Sequence, residues 1–253
     1  MVVSRRLLTV ALLAAVLPAC SIRKTAVNKL GDALAETGAA LVGGHTEVTT
    51  AVSQPVVVGQ MLGLAEGGGI VRTGGARPGD VLVQAGPAPV EGAAVLAIEA
   101  RERLGDLDLA TLARASAALE KPGISVVEPA LLAAQLGARA LHDPTEGGLA
   151  AGLAELAEAS GVRLRVDPAS VLWFEPGRAV CRALGADPWC TLASGALLAA
   201  FPADRAAAAC AELEKSGVPA HWIGCAEEGI GVVLPDGTPL QAPARDEVAR
   251  LLS

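Results

Sequence analysis

Between residues 142 and 149 the chain reads His142-Asp143-Pro144-Thr145-Glu146-Gly147-Gly148-Leu149. These are residue types that anion chemistry uses. Gly147 and Gly148 carry no Cβ, so a ligand can come close to the backbone there. Thr145 stands at the expected N-cap of a helix, where its hydroxyl accepts an amide N–H that the first turn leaves unpaired. The opening turn of such a helix presents N–H groups and the positive end of its dipole, a place for phosphate or another anion. Asp143 opposes an anion directly, so a role for it there runs through Mg²⁺. A structural reading stands beside this one: a well-capped helix following a strand. Spacing alone favours the structural reading.

The elements that must hold this loop can be read on either side of it. Residues 138–141 are short enough for a strand, and Leu149, Leu153 and Leu156 repeat at the spacing of one helical face. Upstream, Val81-Leu82-Val83 is a short buried strand. Val90, Ala94, Val95 and Ile98 fit a helix with Glu91 in its first turn. Leu109, Leu112, Ser116 and Leu119 mark a second helix stopped at Pro122-Gly123. Residues 126–136 form a third, with Ser125 as its N-cap. Downstream, residues 163–167 alternate polar and apolar, a half-buried strand. Residues 178–184 are a short helix and 196–201 an apolar strand. Residues 204–215 are a helix ended by Gly217. Residues 218–225 and 230–234 are strands, and Pro235-Asp236-Gly237 is a turn. This alternation predicts a layered α/β fold, a mixed sheet covered by helices.

Composition narrows the function classes. The 253 residues are long enough for one or two domains with a real core. Apolar residues make up 52% and aromatics only 2%, so the core must be Ala, Val and Leu, and base-stacking platforms are excluded. A formal net charge of −7 argues against a surface that tracks a phosphate backbone, and no nucleic-acid partner is expected. Cys181, Cys190, Cys210 and Cys225 lack C-x₂-C spacing, so they read as buried free thiols rather than a zinc site, and no metal ligand set is assigned. Their even number permits disulfides if the chain is exported. His221 reads as structural, and Trp173, Trp189 and Trp222 as packing residues.

The 142–149 stretch resembles the signature of the C-terminal domain in the aminoimidazole ribonucleotide (AIR) synthetase superfamily, in the form seen in its HypE-like members. Further blocks agree in order: Leu41-Val42-Gly43-Gly44-His45-Thr46-Glu47-Val48-Thr49, Val56-Val57-Val58-Gly59, Gly74-Gly75-Ala76-Arg77-Pro78-Gly79-Asp80-Val81-Leu82, Glu91-Gly92 and Ala193-Ser194-Gly195-Ala196-Leu197-Leu198. The resemblance covers about residue 39 to the end. It implies ATP and Mg²⁺ as cofactors, and a nucleotide- or phosphate-binding set of Gly43, Gly44, His45, Thr46, Asp143, Thr145, Gly147 and Gly148. Thr46 would bond phosphate and Glu47 would sit near a metal. Without the resemblance, 43–47 reads as a glycine turn between two strands. No catalytic residue is assigned.

The resemblance also marks what should weaken catalysis. In the family most of an ATP-binding half lies before the Gly43-Gly44 loop, and nothing like it precedes Ala39 here. Phosphoryl transfer depends on positioning and charge stabilisation, so loss of most metal ligands should remove turnover. Family members that dehydrate a carbamoyl group end in a reactive cysteine, whereas this sequence ends Leu251-Leu252-Ser253.

The N-terminus has a different character. Arg5-Arg6, an apolar run over 7–17 and Leu17-Pro18-Ala19-Cys20 make a charged region, a short apolar region and a small-residue cleavage site. Cys20 sits where a bacterial lipobox places its lipidated cysteine, and the run is short for a membrane span. A buried N-terminal helix is the structural alternative. Residues 1–36 resemble the start of small periplasmic lipoproteins of the TRAP-transporter T-component type.

The expected organisation is a signal segment at 1–20, a helical junction at 21–38, and remnant strands of the N-terminal β domain at 39–63. A linker at 64–72, the C-terminal domain at 73–240 and a C-terminal helix at 241–253 complete it. Three functions stay open. The first is an ATP-dependent enzyme activating an amide or carbonyl oxygen, cytoplasmic, as a homodimer or with a partner chain supplying the nucleotide half. The second is a non-catalytic fragment that binds a small phosphorylated molecule or nucleotide. The third is a lipoprotein fusion held to a membrane through a lipid on Cys20.

Overall fold

The sheet is organised around β1 (Val81–Ala85). Its side chains alternate between faces, as a strand requires. Leu82 enters one apolar cluster, and Val83 and Ala85 enter another on the opposite side. A computed structural model describes residues 69–253 without a break and, before them, only 50, 51, 53, 56, 58, 60, 62 and 63. The chain divides into two units, residues 1–66 and 67–253, and the architecture below is that of the second.

Six strands make one sheet in the order β2-β4-β1-β5-β3-β6: β2 is Ala140–His142, β3 Arg163–Val166, β4 Leu197–Phe201, β5 Ala220–Glu227 and β6 Gly231–Val233. All neighbours are antiparallel except β3 and β6, so the sheet is mixed as expected. β4 is buried at every residue. Its Leu198 and Ala200 face one cluster, and Leu197, Ala199 and Phe201 face the other.

Helices cover both faces. On the first lies α4 (Gly148–Ser160), whose Leu149, Leu153 and Leu156 are fully buried. Each such Leu contributes roughly 1.5–3 kcal/mol by leaving water. On the second lie α3 (Val127–Gln135) and α6 (Ala203–Lys215), through Ala133, Ala206, Ala209 and Leu213. A further cluster joins α1 (Glu91–Glu99), α2 (Leu109–Ser116) and α5 (Glu175–Leu184), with Val248 and Leu251 of α7 (Glu247–Leu252) against it. Alanine at the helix contacts lets the layers pack without large aromatics, as composition demanded.

From residue 69 onward the elements read from spacing are present, with corrections at their ends; the strands expected over 39–63 and the segments before them fall largely outside the described residues. Ile98 is half-exposed and Leu109 largely exposed, because the buried face of α1 runs through Ala93, Leu96 and Ala97 and that of α2 through Leu112 and Ala115. Ser125 does not cap α3: Val126 occupies that position and no side chain bonds the first turn. Asp108, which spacing did not single out, caps α2 by accepting the Thr111 N–H at 2.8 Å. Gly217 follows α6 with a φ of +89°. Among the described residues no helix is long and apolar enough to cross a membrane.

Two buried polar groups fix how β1 meets its surroundings. Asp80 is 1% exposed; its carboxylate accepts from Arg139 Nη1 at 2.5 Å and from the Arg77 N–H at 2.9 Å. That pair ties the Gly79 turn to the residue preceding β2. Gln84 is fully buried; its amide NH₂ donates to the carbonyls of Gly86 and Leu172 at 3.0 and 2.9 Å, and its oxygen accepts the Leu172 N–H at 3.1 Å. Gln84→Met keeps the volume but leaves that N–H and the Gly86 carbonyl without this partner, while the Leu172 carbonyl keeps the Ala88 N–H. Its expected cost is about 2 kcal/mol, read as a lower urea midpoint at unchanged m-value.

Candidate functional site

The glycine loop lies between β2 and α4, as the sequence indicated, but its helix starts later than spacing suggested. Gly147, not Thr145, is the N-cap of α4, with a φ of +78°, and Gly148 follows at +66°. Only glycine enters that region without strain. The Thr145 hydroxyl donates to the Asp143 carbonyl at 3.2 Å and makes no cap. What Thr145 supplies is its own carbonyl, which accepts the N–H groups of Gly148 and Ala193, both at 3.1 Å.

The need for two glycines is set by neighbours. A Cβ on Gly148 would stand 2.6 Å from the carbonyl oxygens of both Trp189 and Thr191, and one on Gly147 would stand 2.7 Å from Ala151 Cβ and 3.4 Å from Pro243 Cγ. Both glycines are buried. The wall that Gly148 meets is a short turn over Pro188–Cys190 and the residue after it. Asp187 builds it by accepting the Trp189 N–H on its carboxylate at 2.9 Å and the Thr191 hydroxyl on its carbonyl at 2.7 Å. Trp189 then packs edge-on against Trp173, with centroids 5.0 Å apart, and the Arg178 guanidinium lies 5.5 Å over the Trp173 ring. These two tryptophans are packing residues, as read from sequence. Trp222 departs from that reading, since 44% of it is exposed.

An anion already sits on the loop, and it is part of the chain. The Gly147 N–H donates to Asp246 Oδ2 at 2.7 Å, and Asp246 Oδ1 accepts the Val248 N–H at 2.7 Å. One carboxylate therefore joins the start of α4 to the start of α7. Sequence reading missed Asp246. Its one local signal was an Asp just before a helix, and the 99 residues separating it from Gly147 hide the contact.

A second polar group was also missed. His142 Nε2 is 2.7 Å from Glu155 Oε2 and Nδ1 is 3.4 Å from the Thr73 hydroxyl. This arrangement ties the end of β2 to α4 and to the approach to β1. Asp143 and Glu146, beside it, are exposed. Among the described residues no three His, Cys, Asp or Glu side chains converge as a metal cage would need, so the described residues do not fit Mg²⁺ by themselves and no step is derived through it. Gly43, Gly44, His45 and Thr46, and Cys20 as a lipid-bearing residue, lie outside the described residues.

The four described cysteines are free. Burial pushes the Cys181 thiol up to about 11. Burial first, then the Asp187 carboxylate, pushes Cys190 up to about 12. Cys210 and Cys225 are raised too, chiefly by burial. Cys181 is buried while the other three are half-buried, a correction to the expectation that all would be buried. His221, on β5, is exposed and its Nδ1 lies 3.1 Å from the Ser170 carbonyl.

Comparison with known proteins adds the following. Residues 77–235 match the family described as AIR synthase related protein, C-terminal domain. The chain is 31% identical to the carbamoyl dehydratase HypE of Cupriavidus necator over 219 residues, 85% of this chain and 58% of that protein. It therefore spans little more than half the length of that curated relative. A crystal structure of the hydrogenase maturation protein HypE in complex with ATP shares the fold, with a TM-score of 0.51 at 24% identity over 70% of this chain and 54% of the other. HypE in a HypE–HypF complex aligns with a TM-score of 0.54 at 25% identity, over 71% and 57% of the two chains.

The thiol environment gives a pH prediction. The fold favours the neutral thiols, so their contribution to stability is whole below about pH 9 and is lost as pH climbs through 11 and 12. At pH 8 the thiolate fraction of Cys190 falls roughly 10³-fold below that of a free thiol. Iodoacetamide should therefore label Cys181 and Cys190 at least 100-fold more slowly in the native chain than in urea, as read by mass spectrometry.

Proposed function

From the premise that the chain belongs to the AIR synthase related protein C-terminal domain family, we propose that it is the substrate-side half of an ATP-dependent, HypE-like activity. The reading rests on one observation above others. The matched family covers the sheet, the glycine loop and its covering helices in a single block, and relatives at this level of identity include carbamoyl dehydratases. The chemistry proposed for the whole protein is transfer of the ATP γ-phosphoryl group to the oxygen of a carbamoyl or similar amide. That oxygen forms a bond to phosphorus while the bond to ADP breaks. Loss of the phosphorylated oxygen as phosphate, with protons leaving nitrogen, then completes a dehydration.

In this proposal the residues at 142–149 handle the phosphate end of the ligand. Gly147 and Gly148 would shape the loop through their backbone, Thr145 would give a hydroxyl, and Asp143 an exposed carboxylate. Gly43, Gly44, His45 and Thr46 would supply the nucleotide side, and Asp143 would share the hold on the Mg²⁺ that ATP brings, which the described residues do not cage by themselves. A protein partner is proposed by analogy with the HypE–HypF complex. Attachment to a membrane through a lipid on Cys20 is a separate proposal, independent of the domain's chemistry. Incorporation of labelled palmitate, abolished in Cys20→Ala, would support it.

Calorimetry of the full chain with Mg-ATP tests the main reading. Binding in the millimolar range is expected, weakened at least five-fold in Asp143→Ala and Thr145→Ala. No heat at 10 mM ATP would contradict it, as would binding that both substitutions leave unchanged.

A further inference from the structure

Gly152 stands inside α4, where a glycine weakens a helix relative to alanine. What lies over it explains its place. A Cβ on Gly152 would stand 2.5 Å from Pro144 Cβ and 3.3 Å from His142 Cδ2. The residues on either side of Asp143 are therefore seated on the same bare patch of helix. Pro144 is buried there, and Asp143 between them is exposed.

The imidazole of His142 is held at both nitrogens, and only 17% of the side chain is exposed. Nε2 lies 2.7 Å from Glu155 Oε2. An ionised carboxylate only accepts, so Nε2 carries a proton, and Nδ1 of the neutral ring accepts the Thr73 hydroxyl at 3.4 Å. Thr73 is fixed in turn. Its carbonyl accepts the Ser160 hydroxyl at 3.2 Å, and the carbonyl of Arg72 before it accepts the Leu141 N–H at 3.2 Å.

We infer that His142, seated on Gly152 and held by Glu155 and Thr73, is a positioning residue that fixes the backbone at 143 and so aims the Asp143 carboxylate. The inference rests on the reading above in which Asp143 meets Mg-ATP. His142 acts through Asp143 and touches no ligand itself. A carboxylate on a fixed backbone binds without first losing the freedom of a mobile loop. Loss of the ring therefore costs affinity through Asp143 and by no other route.

Two measurements on the full chain test this, with circular dichroism to check that the variants fold. NMR relaxation reads the backbone order parameter at Asp143, expected near about 0.85 in the unsubstituted chain and below about 0.6 in His142→Ala. Calorimetry with Mg-ATP reads the coupling. His142→Ala and Asp143→Ala should each weaken binding about five-fold or more, and the double variant no further than either alone. Glu155→Ala should act like His142→Ala. Glu155→Gln, whose amide oxygen still accepts from Nε2, should recover most of that loss. The Glu155 pair decides the matter if His142→Ala does not fold. Additive losses in the double variant would overturn the positioning role while leaving Asp143 as a ligand-facing group, as would an Asp143 backbone equally rigid in His142→Ala and Glu155→Ala. No binding of Mg-ATP by the unsubstituted chain would overturn the reading beneath it, and the positioning role too.

Discussion

The close approach of backbone to backbone at the start of α4 is the constraint on which the rest of the domain depends. Gly148 lies where any side chain would meet the carbonyls of Trp189 and Thr191. Through this contact the sheet, α4 and the turn before β4 share one position. The Thr145 carbonyl reinforces it by accepting both the first amide of the helix and the Ala193 amide beyond the turn. Apolar burial of Leu149, Leu153 and Leu156 holds the helix down on the sheet, but it does not set the helix's register along it. The two glycines do, because only they fit and only they tolerate the left-handed backbone there.

Much of this was legible from residues alone. The alternation in β3 and the i, i+4, i+7 leucines of α4 each follow from which side chains must leave water, and they appear where periodicity placed them. The ends of elements were less legible. Thr145 has the chemistry of a cap, yet Gly147 takes the role because two glycines in left-handed conformation extend the loop before the helix can start. Ser125 likewise leaves α3 uncapped. Asp246 and the His142–Glu155–Thr73 group were beyond sequence reading, since each contact is set by tertiary approach and no local period encodes it.

The domain's chemistry follows from how its polar groups are divided. Buried Asp80 and Gln84 are paired and serve the architecture. The groups free to meet a ligand, Asp143 and Glu146, stand exposed on the loop beside a helix start whose first amide is already charged with an acceptor. The described thiols sit in surroundings that favour the neutral form, chiefly through burial.

Native-state hydrogen exchange at the Ala193 amide tests the central constraint most directly. That N–H bonds the Thr145 carbonyl across the glycine contact. If the contact fixes the domain, Ala193 should exchange only through global unfolding, with the same urea dependence as the amides of β4. Fast exchange at Ala193, independent of urea, would show that the loop opens on its own and that the fold does not depend on it.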